Sequence, residues 1–189
     1  KDIIETFWAL SKELADARHY PSIDWVTSFS GHVHAAAEWW HKEVDRHWEA
    51  RRTQALALLA RDAELSRIVN LVGPEALSDA QRWQLEGASL IKEGVLQQSA
   101  LDEVDTFCSP EKQFALLDLA LATYDKGMTL IELGVPVSHL QDLPQLATAR
   151  RCKSMYTSEQ VSSIQHLKRE IEEAFESIRL EYAKQHVDN

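Results

Sequence analysis

From Val161 onward, apolar residues return at every third or fourth position: Val161, Ile164, Leu167, Ile171, Phe175, Ile178 and Tyr182 within "SEQVSSIQHLKREIEEAFESIRLEYAKQ". That spacing matches the 3.6-residue turn of a helix and not the two-residue alternation of a strand, so the segment predicts a long amphipathic helix with a charged outer face. Helical periodicity recurs upstream, and only 6 Gly and 5 Pro punctuate 189 residues. The chain is therefore expected to be all-α, with strands minor if present at all.

"IIETFWALSKELADARH" sets Ile4, Phe7, Trp8, Leu10, Leu14 and Ala15 largely on one helical face and predicts a first helix. "YPSIDWVTSFSG" mixes Pro, Ser, Thr and Gly with Tyr20, Trp25 and Phe29, and predicts an ordered connection with large rings to bury. Helix is expected from about Ala35 to Leu71, with a break near Asp45 to Trp48 and a buried stripe of Leu56, Leu59, Ala63, Ile68 and Leu71. Gly73 ends it and Pro74 forbids its continuation. Ser78 or Asp79 then caps a helix running to about Gln98. Ser109 before Pro110 opens another, which stops at Gly134 and Pro136. A shorter helix is expected over residues 143–154, before the last one.

The formal charge of -10 opposes binding to nucleic acid or insertion against an anionic membrane surface, since both repel an acidic protein. The best candidate for an offsetting basic patch is Arg150, Arg151 and Lys153, and it is short. No run approaches the ~20 apolar residues that span a bilayer. No secretory signal opens the chain, and its start at Lys1 rather than Met suggests a processed or excised piece. Cys108 and Cys152 lack CxxC spacing, which fits a reducing compartment.

Chemistry-bearing patterns are sparse. No pair of glycines makes GxxxxGK, so no phosphate-cradling loop is present in these 189 residues. His32, His34, His41 and His47 cluster, but Glu38 with His41 is a single E-x-x-H, and a carboxylate-bridged di-metal bundle needs two. The His set reads as ordinary surface histidines, without a metal site. Asp102, Glu103 and Asp105 lack the central Gly of a calcium loop and read as a solvated joint. Trp39 and Trp40 read as core and rim, and Cys108 as a half-buried thiol. No catalytic residue is assigned.

Three stretches in order, "FWALSKELADARHYPSIDWVTSFS", "ELSRIVNLVGPEALSDAQRWQLEGASLIKEGVLQQSALDEVDTFCSPEKQF" and "LGVP", resemble the C-terminal region of the catalytic A subunit of V/A-type rotary ATP synthases. The resemblance is colinear over nearly the whole chain and weakens past about Leu140. It implies a multi-helix C-terminal domain at residues 35–189, preceded at 1–34 by a helix and an extended connection from a nucleotide-binding domain. It also implies ATP or ADP with Mg in the intact protein, with neither bound tightly by this part alone. The partners implied are the B subunits of an alternating A3B3 head and the central-stalk rotor subunits, in a cytoplasmic head attached to a membrane complex that moves H+ or Na+.

Site residues come from the same resemblance. The family pattern aromatic-Pro-x-Ile-x-Trp places Tyr20 against the adenine base. The pattern LQQ-x-Ala-Phe places a second aromatic where this chain has Leu101, leaving an apolar slot with one stacking ring. "GPEALSDAQ" is similar to the acidic rotor-facing turn of F-type relatives, with Gly73, Pro74, Glu75, Ser78 and Asp79 as its members. By composition and periodicity alone, a freestanding acidic helical adaptor is an equal reading, and motif order separates the two.

Overall fold

The structure, a computed structural model, describes residues 5–187. Strand β1 (Thr6–Leu10) is followed by a short helix α1 (Lys12–Asp16), strand β2 (Ile23–Ser30), α2 (Val33–Glu43) and α3 (Trp48–Val72). A 3-10 turn at Pro74–Ala76 leads into α4 (Asp79–Ile91), which widens into a π-helical turn at Lys92–Leu96. Then come α5 (Pro110–Glu132), α6 (Val137–Gln141), α7 (Pro144–Met155) and α8 (Val161–Val187).

The helical class holds, with one departure at the start. Where a first helix was expected, β1 and β2 form an antiparallel hairpin in the register Thr6↔Ser30, Phe7↔Phe29, Ala9↔Asp24 and Leu10↔Ile23, with an irregularity between Phe7 and Ala9. Thr, Phe and Trp suit a pleated surface, and a partner strand satisfies their backbone groups, so pairing with a distant segment overrides the local pattern. Phe7 and Phe29 stack across the pair at 6.0 Å. Helix begins only at Lys12, where the Ser11 hydroxyl accepts from the Leu14 amide at 3.2 Å. Ile4, assigned to that helix face, lies outside the described residues.

The core gathers α3, α4, α5, α7 and α8 around Trp83, Leu90, Leu119, Leu121, Leu146, Ile164, Ile171 and Phe175. In α8 the expected stripe is the buried one, from Ile164 to Phe175. In α3 it is not: Leu59 is buried, but Ile68 and Leu71 are exposed, and the inward face is Ala55, Leu58, Leu59 and Leu65. Apolar residues occur around most of α3, so periodicity alone leaves its rotation open. Contact with α4 and α5 settles it.

Trp83, fully buried, donates from Nε1 to the Tyr124 carbonyl at 2.9 Å and meets Phe175 edge-on at 6.0 Å. Its ring lies over Gly127 of α5, where an added Cβ would fall 2.2 Å from the indole. A glycine in mid-helix is therefore what lets α4 and α5 approach so closely.

The expected stop near Gly73 and cap near Ser78 are both present. Gly73, at φ +88°, closes α3, and its amide donates to the Val69 carbonyl at 2.9 Å. The Ser78 hydroxyl accepts from the Gln81 amide at 3.3 Å while the Gln81 side chain accepts from the Ser78 amide at 3.0 Å, a reciprocal capping box. The break in the long helix falls at residues 44–47, and α6 is an element the periodicity did not reveal.

Candidate functional site

Two regions carry the residues singled out by sequence: a cleft and the α3–α4 corner. The cleft, of about 660 Å³, is lined by both Tyr20 and Leu101 together with Arg18, Gln97, Asp102 and Lys153. Tyr20 precedes a cis peptide bond to Pro21 in the segment joining α1 to β2, whereas Leu101 lies in the loop between α4 and α5. One backbone bond ties the two segments: the Gln98 amide donates to the Tyr20 carbonyl at 2.7 Å. Next to Tyr20, His19 is buried against the edge of Trp25, with ring centroids 5.3 Å apart, and its Nε2 donates to the Lys92 carbonyl at 2.9 Å. That same carbonyl accepts the Gln97 amide at 2.8 Å, the i+5 bond of the π-turn.

The Leu101 loop is built by its acids. Asp102 Oδ1 accepts the Val104 and Asp105 amides at 2.9 and 3.1 Å, and Asp105 Oδ2 accepts the Ser99 amide at 2.6 Å. Asp105 is only 5% exposed and departs from the solvated joint its composition suggested, whereas Glu103 is exposed and Asp102 half-buried. Leu101 itself is 98% exposed, and Tyr20 is half-exposed. In the cleft a ring and an aliphatic side chain thus stay open, and neither is consumed in the core.

The basic cluster does not act as a patch. Arg150 bonds Glu86 closely and lies 3.7 Å from Glu93, and Lys153 points inward beside Asp105 at 3.5 Å. Burial holds the Glu86 carboxyl above its ordinary range; the like charge of Glu93 adds to this and Arg150 opposes it. Behind Lys153, the fully buried Lys112 donates from Nζ to the Lys153 carbonyl at 2.8 Å. Neither lysine carries a sequence signal, because a buried ammonium is recognisable only when its acceptors converge in space.

At the corner, the two acids part company. Glu75 is exposed, while Asp79 is half-buried and turned toward α6, its Oδ2 accepting the Val137 amide at 3.0 Å. Beside the corner, Ile68, Val72 and Leu71, the last 83% exposed, form an apolar surface at the end of α3. The four histidines lie along the surface next to carboxylates: His32 beside Glu5 at 3.1 Å, His47 beside Asp45 at 2.9 Å, and His34 and His41 at 3.9 and 4.0 Å from Glu49. Among the described residues, no group of three or more His, Cys, Asp or Glu could hold a metal ion, and no helix is long and apolar enough to cross a membrane. Trp40 stacks on Trp48 at 5.1 Å and meets Trp39 edge-on at 5.5 Å.

The fold thus supplies a helical body with a capped corner between α3 and α4 and a separate, mostly polar cleft in which Tyr20 and Leu101 are the large apolar side chains. A family model for the C-terminal domain of V and A type ATP synthase matches residues 37–140, and the chain belongs to that family. It is 60% identical over 184 residues to a V-type ATP synthase alpha chain of Nitrosococcus oceani, covering 97% of this chain and 31% of that protein. It is 42% identical over 180 residues to the A subunit of an A-type ATP synthase of Pyrococcus horikoshii, covering 95% of this chain and 18% of the relative. A third relative, the A subunit of the A-type ATP synthase of Methanopyrus kandleri, is 39% identical over 176 residues, covering 93% of this chain and 30% of its own length. The chain thus spans less than a third of the length of each.

Proposed function

We propose that this chain works as the C-terminal part of the catalytic A subunit of a V/A-type rotary ATP synthase. Residues 1–34 complete a nucleotide-binding domain and residues 35–189 form the helical domain that transmits motion. Tyr20 and Leu101 hold the adenine base of ATP or ADP in the cleft; the phosphates and Mg belong to the upstream domain, which carries the phosphate loop. The bound nucleotide supplies the free energy of its phosphoanhydride bond. This chain's residues orient the base and carry the resulting closure to the corner.

The observation that carries the reading is that Tyr20 and Leu101, distant in sequence, line one cleft in which both remain open to a ligand. The lining is compatible with a base: Tyr20 offers a stacking face and Leu101 an apolar contact, while Arg18, Gln97 and Gln98 supply polar groups for its edge. At the corner, the Gly73 turn, the Ser78 capping box and the Asp79 bond to α6 make a junction that transmits force instead of bending. Glu75 and the exposed Ile68, Leu71 and Val72 face the central stalk, and B subunits flank the domain in an A3B3 head on the cytoplasmic side of a membrane complex that moves H+ or Na+.

The test uses the full-length protein in its reconstituted head. Tyr20→Ala removes the single stacking ring and weakens single-site ATP binding about tenfold, within the 1–3 kcal/mol range of one ring–base contact. Glu75→Ala leaves that binding intact. Equal losses for the two variants overturn the division between base slot and rotor-facing corner.

A further inference from the structure

Leu101 is 98% exposed, so no packing determines where it sits. Its position is inherited from the backbone on either side. On one side, the Ser99 amide is held by Asp105; on the other, Asp102 closes its own turn onto Val104 and Asp105. Tyr20 depends on the same stretch, since its carbonyl is bound by the Gln98 amide. Both walls of the cleft therefore hang from residues 97–105.

What holds that stretch is Lys153. Its Nζ donates to the Val95 carbonyl at 3.1 Å and the Gln97 carbonyl at 2.7 Å, the last acceptors of the α4 π-turn, where helix carbonyls lack partners and carry partial negative charge. The same Nζ lies 3.5 Å from Asp105 Oδ1, which is buried and makes no hydrogen bond, so the ammonium is that oxygen's compensation. Asp105 also receives the Gln98 side-chain amide on its carbonyl at 2.9 Å. Lys153 and Asp105 side chains are each 8% exposed. The lysine is in turn fixed from behind by Lys112 on its own carbonyl, and α7 lies against the π-turn so closely that a Cβ on Gly94 would stand 3.0 Å from the Ala149 carbonyl.

We propose that Lys153, with Asp105, is a positioning pair for the base slot: one buried ammonium joins the carbonyl end of α4 to the Leu101 loop and sets where Leu101 stands relative to Tyr20. The proposal rests on the base-slot reading above. It extends that reading to α7, a helix that contributes nothing apolar to the slot.

The experiment measures single-site affinities of the full-length protein in its head for MgATP and for magnesium tripolyphosphate, which has the phosphates and no base. Lys153→Met is expected to weaken MgATP binding about tenfold, the scale of one lost base contact, and to leave tripolyphosphate binding unchanged. Asp105→Asn, which keeps an acceptor for the Ser99 amide, is expected to show a smaller loss with the same selectivity. The double variant should lose no more than Lys153→Met alone. Equal loss for both ligands, or no loss for either, overturns the proposal; if Lys153→Met does not assemble, the same criteria applied to Asp105→Asn decide. Tyr20→Ala separates the two levels. If it alters MgATP binding selectively while Lys153→Met and Asp105→Asn do not, the positioning pair fails and the slot stands; if it leaves the two ligands' ratio unchanged, the slot reading itself falls and the pair with it.

Discussion

Gly127→Ala probes the close approach of α4 to α5 at Trp83. In an ordinary helix the substitution stabilises by about 1 kcal/mol, because alanine loses less backbone freedom on folding. Here the new methyl would fall 2.2, 2.3 and 2.6 Å from three atoms of the Trp83 indole. Nothing at those distances can stay in place, and the ring cannot give easily: it is fully buried, hydrogen-bonded to the Tyr124 carbonyl and packed on Phe175. Overpacking of this kind costs about 1–3 kcal/mol, and a lost buried hydrogen bond adds about 1 kcal/mol. Setting the helix gain of about 1 kcal/mol against these leaves a net destabilisation of about 1–3 kcal/mol, or a midpoint lowered by roughly 2–12 °C for a chain of this size. Urea and thermal unfolding followed by circular dichroism at the helix band would measure it on the purified chain. A variant as stable as the parent, or more so, would refute the claim that Gly127 exists to admit Trp83.

Three further outcomes are expected. Leu65→Ala, on the buried face of α3, should destabilise by about 2–5 kcal/mol, whereas Leu71→Ala, on the exposed face, should stay within about 0.5 kcal/mol; the reverse order in urea midpoints would mean the helix is rotated. Because the folded state holds the Glu86 proton more tightly than the unfolded chain does, stability is lost as pH rises from the ordinary 4.5 through the raised value. Glu86→Gln should therefore show a smaller drop in urea midpoint between about pH 4 and pH 7 than the parent, and an equal drop would count against the burial argument. Burial pushes the Cys152 thiol up to about 12, and Cys108 is also raised chiefly by burial. A thiolate-selective reagent at about pH 8 should leave Cys152 unmodified until the chain unfolds, and rapid native labelling of Cys152, located by peptide mass, would contradict its placement.

Local chemistry made much of the architecture readable. The Gly73–Pro74 stop, the Ser78 cap, the Ser109–Pro110 start and the α8 stripe are each decided by atoms within a turn or two of one another, so neighbouring residues suffice to specify them. The order of aromatics and turns pointed to the family, and within it to Tyr20 and Leu101. The hairpin was not readable: β1 exists because β2 supplies its hydrogen bonds, and the helical pattern of residues 4–15 is indifferent to that. Nor was the rotation of α3, whose apolar residues surround the axis until α4 and α5 select Leu58, Leu59 and Leu65. Lys112, Lys153 and Asp105 look by type like surface residues. Only the folded chain, by bringing backbone carbonyls, one carboxylate and two ammonium groups into one buried cluster, turns them into the support proposed for the cleft.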